Sequence, residues 1–326
     1  MAGQKNKFFT NDAAVCLLAV FCCMLWGSAI TCIKIGYKLF GIPSGDSRSQ
    51  ILFAGCRFFI AGIMSVIMGS IAGKSVLKPS RGSAGRILCL CLFQTVLQYI
   101  FFYIGIAHTS GVKSSIINGT GVFITILISC LVFRQEKLTS RKVIGCFLGF
   151  AGVAAVNMSG ASLNMAISFT GEGFILLSII ASSISSSFTK EFSKYDNPVM
   201  LSGFQFILGG AVLILSGIVS GGKIQSINGR GIAMLLYLAF VSAAAYSLWS
   251  LLLKYNPVSK VAVWGFTNPI FSVILSIVFL SEGNQSPWPR IAASLLLVCL
   301  GIYTVNSGGP RKNPKCVPPR APIPKK

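Results

Sequence analysis

Acidic residues are scarce in this chain, with 7 Asp+Glu in 326 residues, and all charged residues together make up only 11%. A soluble domain carries roughly 25% charged residues, so there is too little charge here to clothe a water-facing surface. Histidine occurs once, as His108. With one histidine and no carboxylate inside any long apolar run, neither a metal site nor an acid–base pair can be assembled. No GxxxxGK[ST] loop is present, so the chain does not itself harness ATP. These absences predict no enzyme, no metal and no cofactor. Cysteine is not scarce, at 11, but ten of the eleven lie in or beside apolar segments. No CxxC pair with a second pair elsewhere exists, so they read as reduced thiols acting as small apolar residues.

What fills the sequence is apolar: 53% of residues belong to the hydrophobic set, with mean hydropathy +0.75. About 20 consecutive apolar residues are needed to cross a bilayer as a helix. Ten such blocks occur, at 13–36, 49–70, 85–107, 112–133, 143–159, 171–189, 198–219, 231–253, 260–281 and 290–306. The first is too long for a signal-peptide core. The fold class expected is an all-α integral membrane protein with ten transmembrane helices.

Basic residues outnumber acidic ones 28 to 7. They fall between the apolar blocks and in the tail, so they report membrane orientation rather than nucleic acid as a partner. With the N-terminus inside, twenty Lys and Arg lie on the cytoplasmic side against six outside. Both termini are therefore expected in the cytoplasm. Residues 1–12 form a cytoplasmic N-terminus. The tail, 307–326, holds six prolines and six basic residues and reads as disordered.

The two halves resemble each other. Between 112–136 and 258–282 the chain aligns without a gap, with Val112/Val258, Gly119/Gly265, Ile124/Ile270, Phe133/Phe279 and Glu136/Glu282 identical. GCRFFIAG at 55–62 matches GFQFILGG at 203–210, and GVAAVN at 152–157 matches GIYTVN at 301–306. Five spans per copy is an odd number, so the second copy must lie inverted. The organisation expected is a repeat over 13–159, an external linker at 160–170 and a second repeat over 171–306. Inverted repeats of this kind mark transporters, with the substrate site near the midplane between the copies.

Trp26-Gly27-Ser28, Arg57-Phe58, Asn268-Pro269 and the paired Glu136 and Glu282 make the chain resemble the drug/metabolite transporter superfamily, in its EamA-type branch. The resemblance spans residues 13–306. It implies export or exchange of small metabolites, often amino acids, at the cell membrane. One departure is visible: the position paired with Pro269 is Phe123, so a symmetric kink in the two copies is not assured.

Polar groups in hydrocarbon are costly unless they face a cavity or a partner. Gln94 and Gln98 lie one turn apart on the third block, followed by Phe102. The sixth carries a serine stripe that includes Ser182 and Ser186. The eighth carries Tyr246 and Trp249, the ninth Trp264 and Asn268, the fourth Asn118, and the first Trp26. These eleven residues are the candidate substrate cavity. Scaffold roles are expected for Gly145 and Gly149 on a GxxxG face, packing against the tenth block or a second protomer. Pro269, Glu136 and Glu282 are likewise expected to be structural. Arg57 needs a partner or water, and Gln205 at its repeat position favours a structural role over substrate contact. The oligomeric state stays open between monomer and homodimer, with membrane lipids and a small metabolite as the partners.

The function read from these features is a secondary, alternating-access uniporter or exporter of a small metabolite such as an amino acid. A channel or a lipid-scrambling protein is the alternative.

Overall fold

The computed structural model describes residues 7–43, 45–109, 114, 117–157, 168–280 and 288–307. Glu282, the tail from 308 onward and most of the 160–170 linker lie outside the described residues. Among the described residues the regular structure is helical. In chain order the segments are α1 (Asp12–Phe40), α2 (Ser47–Gly73), α3 (84–107), α4 (Ile117–Val132), α5 (Ser140–Asn157), α6 (Phe169–Phe192), α7 (Pro198–Val219), α8 (Gly229–Tyr255), α9 (258–280) and α10 (Trp288–Asn306). Six of these, α1, α2, α3, α6, α7 and α8, are long and apolar enough to cross a membrane by themselves. Leu17, Ile71, Phe147, Leu215, Val219 and Tyr303 are exposed on helix surfaces. That outward apolar coat belongs against lipid, and the protein is a multi-pass membrane protein.

Local chemistry sets the ends. Asn11 caps α1 by accepting from the amides of Ala13 and Ala14, and Gly41, at φ 67°, turns the chain out of it. Asp46, Asn197 and Asn228 cap α2, α7 and α8 in the same way. An oxygen one residue before a helix satisfies donors that would otherwise be orphaned.

Four segments are not uniform α-helix; α6 opens with a π-helical turn, Phe169–Gly173. In α3, residues Cys91–Leu97 are π-helical, and in α4 Ile128–Val132 are. In α9 a 3₁₀ stretch, Val263–Thr267, precedes Asn268 and Pro269. Proline has no amide hydrogen to continue a helix ladder, which explains a break there. Yet α4, with Phe123 in place of that proline, also breaks, at Thr120. Its position plus the repeat offset falls inside the 3₁₀ stretch of α9. In each case a threonine hydroxyl donates to the carbonyl three residues back, Thr120 to Ile117 and Thr267 to Trp264, both at 2.7 Å. The interruption therefore needs no proline in α4.

Helices in a bilayer gain nothing from excluding water and associate by close packing. Glycine permits it here. A Cβ on Gly210 of α7 would lie 2.4 Å from the Phe59 amide nitrogen of α2, and one on Gly62 of α2 would lie 2.6 Å from the Gly203 carbonyl. The α5–α10 seam is built alike: a Cβ on Gly145 would stand 2.7 Å from the Gly301 oxygen. So α10 is the partner of the GxxxG face, except that Gly149 meets the ring of Phe266 on α9. Around these two seams α1 packs on α8 and α9, and α6 packs on α3 and α4.

Candidate functional site

A cavity of about 190 Å³ lies between α4, α6, α8 and α9. Its polar lining comes from Asn118 and Thr125 of α4 and Ser182 and Ser186 of α6, and its apolar wall from Val122, Ile179, Leu253, Val258 and Ala262. Trp249 of α8 closes one side. The hydroxyls are held in place: Ser186 donates to the Ser182 carbonyl at 3.0 Å, and Thr125 donates to the Gly121 carbonyl while its oxygen lies 2.8 Å from the Ser183 hydroxyl. The volume is below the few hundred Å³ that suit a drug-sized ligand.

Of the eleven candidate residues, Asn118, Ser182, Ser186 and Trp249 line this cavity. Trp26 and Tyr246 adjoin it through Trp249. Trp26 meets Trp249 and Tyr246 edge-on, with ring centres 5.0 and 5.1 Å apart. Behind them, Tyr246 and Tyr99 of α3 place their hydroxyls 2.9 Å apart. Gln98 reaches the same Tyr246 hydroxyl, and its backbone carbonyl accepts from Ser178 of α6 at 2.7 Å. Gln94 is buried within the π-helical stretch, and Phe102 packs beside Tyr103. Trp264 packs against the α5–α10 side of the core, and Asn268 opens the second part of α9. These last four residues are not in the cavity wall.

Several of these groups are sealed and unpaired. Trp26 Nε1, Gln94 Oε1, Gln98 Oε1, Trp264 Nε1 and Asn268 Oδ1 have no hydrogen-bond partner. A buried polar atom left unpaired costs roughly 1–3 kcal/mol, so a cluster of them in one region calls for an explanation.

The end of the molecule that carries the 193–197 and 256–257 loops is built differently. Glu136, just past α4, accepts from the Ser259 amide at 3.0 Å and from the Ser259 hydroxyl, and pairs with Lys142 at 2.7 Å. It thus caps the first turn of α9 from another helix. Burial alone would raise the Glu136 pKa, but the bonds from Lys142 and Ser259 outweigh it and hold the carboxyl below its ordinary value. Lys190 of α6 caps the far end of α8, donating to the Leu253 and Asn256 carbonyls at 3.2 and 2.5 Å. Asp196 accepts from Arg86 at 2.6 Å and from Ser83 at 2.7 Å. Lys260 pairs with Asp12. Sequence reasoning missed the roles of Lys190, Ser259 and Tyr99, because each depends on a partner far away in the chain.

The EamA-like transporter family model matches residues 13–158 and again 169–307. The chain belongs to the EamA-like transporter family. An uncharacterized transporter of Archaeoglobus fulgidus is 26% identical over 284 residues, covering 86% of this chain and 94% of that one. The uncharacterized transporter YvbV of Bacillus subtilis is 28% identical over 295 residues, covering 89% and 91%. A WAT1-related chloroplastic protein of Arabidopsis thaliana is 24% identical, covering 86% of this chain and 66% of its own length. A solved crystal structure superposes with TM-score 0.73 over 90% of this chain and 97% of that one, at 16% identity, a likeness of fold. The drug/metabolite transporter resemblance carried by Trp26-Gly27-Ser28 and Arg57-Phe58 is thereby shown. In this family member Gly27 has a clear role: a Cβ there would lie 2.7 Å from Cβ of Phe271 on α9. The motif glycine lets α1 and α9 touch.

Proposed function

We propose that this EamA-family protein is a secondary carrier that moves a small metabolite, such as an amino acid or another compound of that size, by alternating access. The observation that carries the reading is the 190 Å³ cavity walled by hydroxyl, amide and indole groups from four helices. Those helices, α4 and α6, α8 and α9, come from both halves of the chain. In this reading all ten segments cross the cell membrane as two inverted five-helix repeats, with both termini cytoplasmic. Three features support it. The family model matches each half separately, the breaks in α4 and α9 occupy matched positions, and the contact of α1 with α8 and α9 has its counterpart in α6 with α3 and α4. The six described acidic residues fall in loops or near helix ends, so among the described residues no deep carboxylate offers a proton site, and the substrate moves down its own gradient.

Purified protein in liposomes, loaded with candidate metabolites, tests this. A carrier shows saturable counterflow, which an open channel or a scramblase does not. Gln98→Ala and Trp249→Ala should each reduce that flux at least about tenfold while leaving expression near wild type, because each removes a group positioned at the cavity or its aromatic wall. An imposed pH gradient should drive no accumulation of substrate. For orientation, cysteine placed at position 78 in a cysteine-free background should resist membrane-impermeant labelling in intact cells.

A further inference from the structure

Arg57 sits in the middle of α2, and the residue is only 5% exposed. Its Nε is sealed without a hydrogen-bond partner. No described residue gives the guanidinium an ion pair or a hydrogen bond. Its one close contact is the ring of its neighbour Phe58, 4.4 Å from the guanidinium carbon. The hydroxyls of Tyr37, Tyr99 and Tyr246 are near enough to feel its charge, and none of them is a carboxylate. Arginine stays protonated in proteins. A buried, permanent, unneutralised cation is expensive wherever it occurs and more so inside a membrane.

The equivalent position in the other half shows that the fold does not require this charge. Gln205 of α7 is fully buried and accepts from Thr95 of α3 at 2.6 Å, while its Nε2 has no partner. The Phe after each, Phe58 and Phe206, stack on one another at 5.1 Å. A neutral amide serves the scaffold there. The charge at Arg57 is therefore surplus to packing.

We propose that Arg57 is the anion receptor of the transport site, and that the substrate is an organic monoanion whose carboxylate it neutralises. This rests on the carrier reading above and names the substrate class for the same site. The Tyr99–Tyr246 pair bridges the guanidinium and the Trp26–Trp249 wall of the cavity: Tyr99 packs on Phe58, whose ring meets the guanidinium, with ring centres 4.4 Å apart, and Tyr246 packs on Trp26 at 5.1 Å. Parting that one hydrogen bond joins the two, and the freed hydroxyls can donate to the same carboxylate. A guanidinium forks onto a carboxylate through two parallel bonds, the strongest pairing available to it. No described acidic residue is placed to receive an ammonium group. A carboxylate without an accompanying amine therefore suits the site better than a zwitterion.

The test uses full-length protein in lipid nanodiscs and three probes with one ring and different charge: phenylacetate, phenylacetamide and phenethylamine. Thermal unfolding should shift upward and saturate with phenylacetate, with an apparent affinity about tenfold or more above that of either other probe. Arg57→Gln, which installs the amide found at 205, should abolish the preference, and its ligand-free melting temperature should equal or exceed wild type, since an uncompensated charge is gone. Arg57→Lys keeps the charge and loses the fork, so it should retain the preference with weaker binding. Three results overturn the proposal: wild type responding equally to all three probes or to none, Arg57→Gln keeping the preference for phenylacetate, or Arg57→Lys binding it as wild type does. If Arg57→Gln does not fold, or melts below wild type, the residue is scaffold and the proposal fails on that ground. Binding through Arg57 without counterflow would preserve the anion site and sink the carrier. Counterflow of a zwitterion unchanged in Arg57→Lys would do the reverse.

Discussion

Two regions of this molecule treat buried charge in opposite ways. At the loop end, the Glu136 side chain is largely buried and receives bonds from Lys142 and from both the amide and the hydroxyl of Ser259. Lys190 ties off α8, and Arg86 meets Asp196. Near the middle, Arg57 has no counter-charge among the described residues, and Trp26, Gln98 and Asn268 each hold an unpaired atom. The first region spends its charges on holding helix ends together. The second keeps groups unsatisfied at a cost in stability, which is where a protein is expected to depart from its own packing rules for the sake of a ligand.

The contrast can be broken most forcefully at Glu136. Its side chain and that of Lys142 are 9% and 13% exposed, and removing one partner of such a pair costs about 3–5 kcal/mol. Glu136→Ala should therefore lower the unfolding midpoint more than any substitution of a residue in the middle region. The pH dependence has a definite sign. Because the folded carboxyl sits below its ordinary pKa, its contribution is complete above the unfolded value of about 4.3 and fades as pH falls through the lower folded value. Wild type should lose stability over that acid window, and Glu136→Gln should lose less there.

A smaller effect is expected where α7 packs on α2 and α3. Gly210→Ala puts a Cβ against the backbone of Phe59, and overpacking of this kind costs about 1–3 kcal/mol. Gly85→Ala, which meets nothing within 4 Å, is the control and should leave thermal unfolding in place. Thr95→Val removes the bond that the Gln205 Oε1 accepts and should cost about 1–2 kcal/mol. If it costs nothing, Gln205 is no better satisfied than Arg57 and the contrast between the halves collapses. Ser182→Ala should change stability least, within about 0.5 kcal/mol, because water in the cavity replaces the hydroxyl.

Helix positions were legible because apolar block length is a direct consequence of bilayer thickness. The block at 13–36 became Asp12–Phe40, extended to where Asn11 and Gly41 can cap it, and the block at 49–70 became Ser47–Gly73. The interior of α3 was not legible. Gln94 and Gln98 were read on an uninterrupted α-helix, but Gln94 lies inside the π-helical stretch Cys91–Leu97 and Gln98 just beyond it. Gln94 is buried, and neither glutamine lines the cavity. The site was legible residue by residue and not as a set. Asn118, Ser182, Ser186 and Trp249 could each be picked as a polar or aromatic group deep in an apolar run, whereas their convergence depends on how helices cross. Arg57 was visible as a problem from its position alone. Only the packing around it shows that no neighbour solves it.

The π-helical stretch of α3 also constrains how chains of this type can differ in length. Each π turn holds about one residue more than an α turn, so Cys91–Leu97 stores an insertion without lengthening the helix by a full turn. Deleting one residue there and returning the stretch to α winding would leave Tyr99 facing as it does, because the π turn had already absorbed that residue's share of rotation. Deleting one residue with no change of winding would instead turn everything beyond it by about 100°. A relative one residue shorter in this helix can therefore present the same wall to its cargo, and a one-residue gap at this point in an alignment marks a change of winding before it marks a change of specificity.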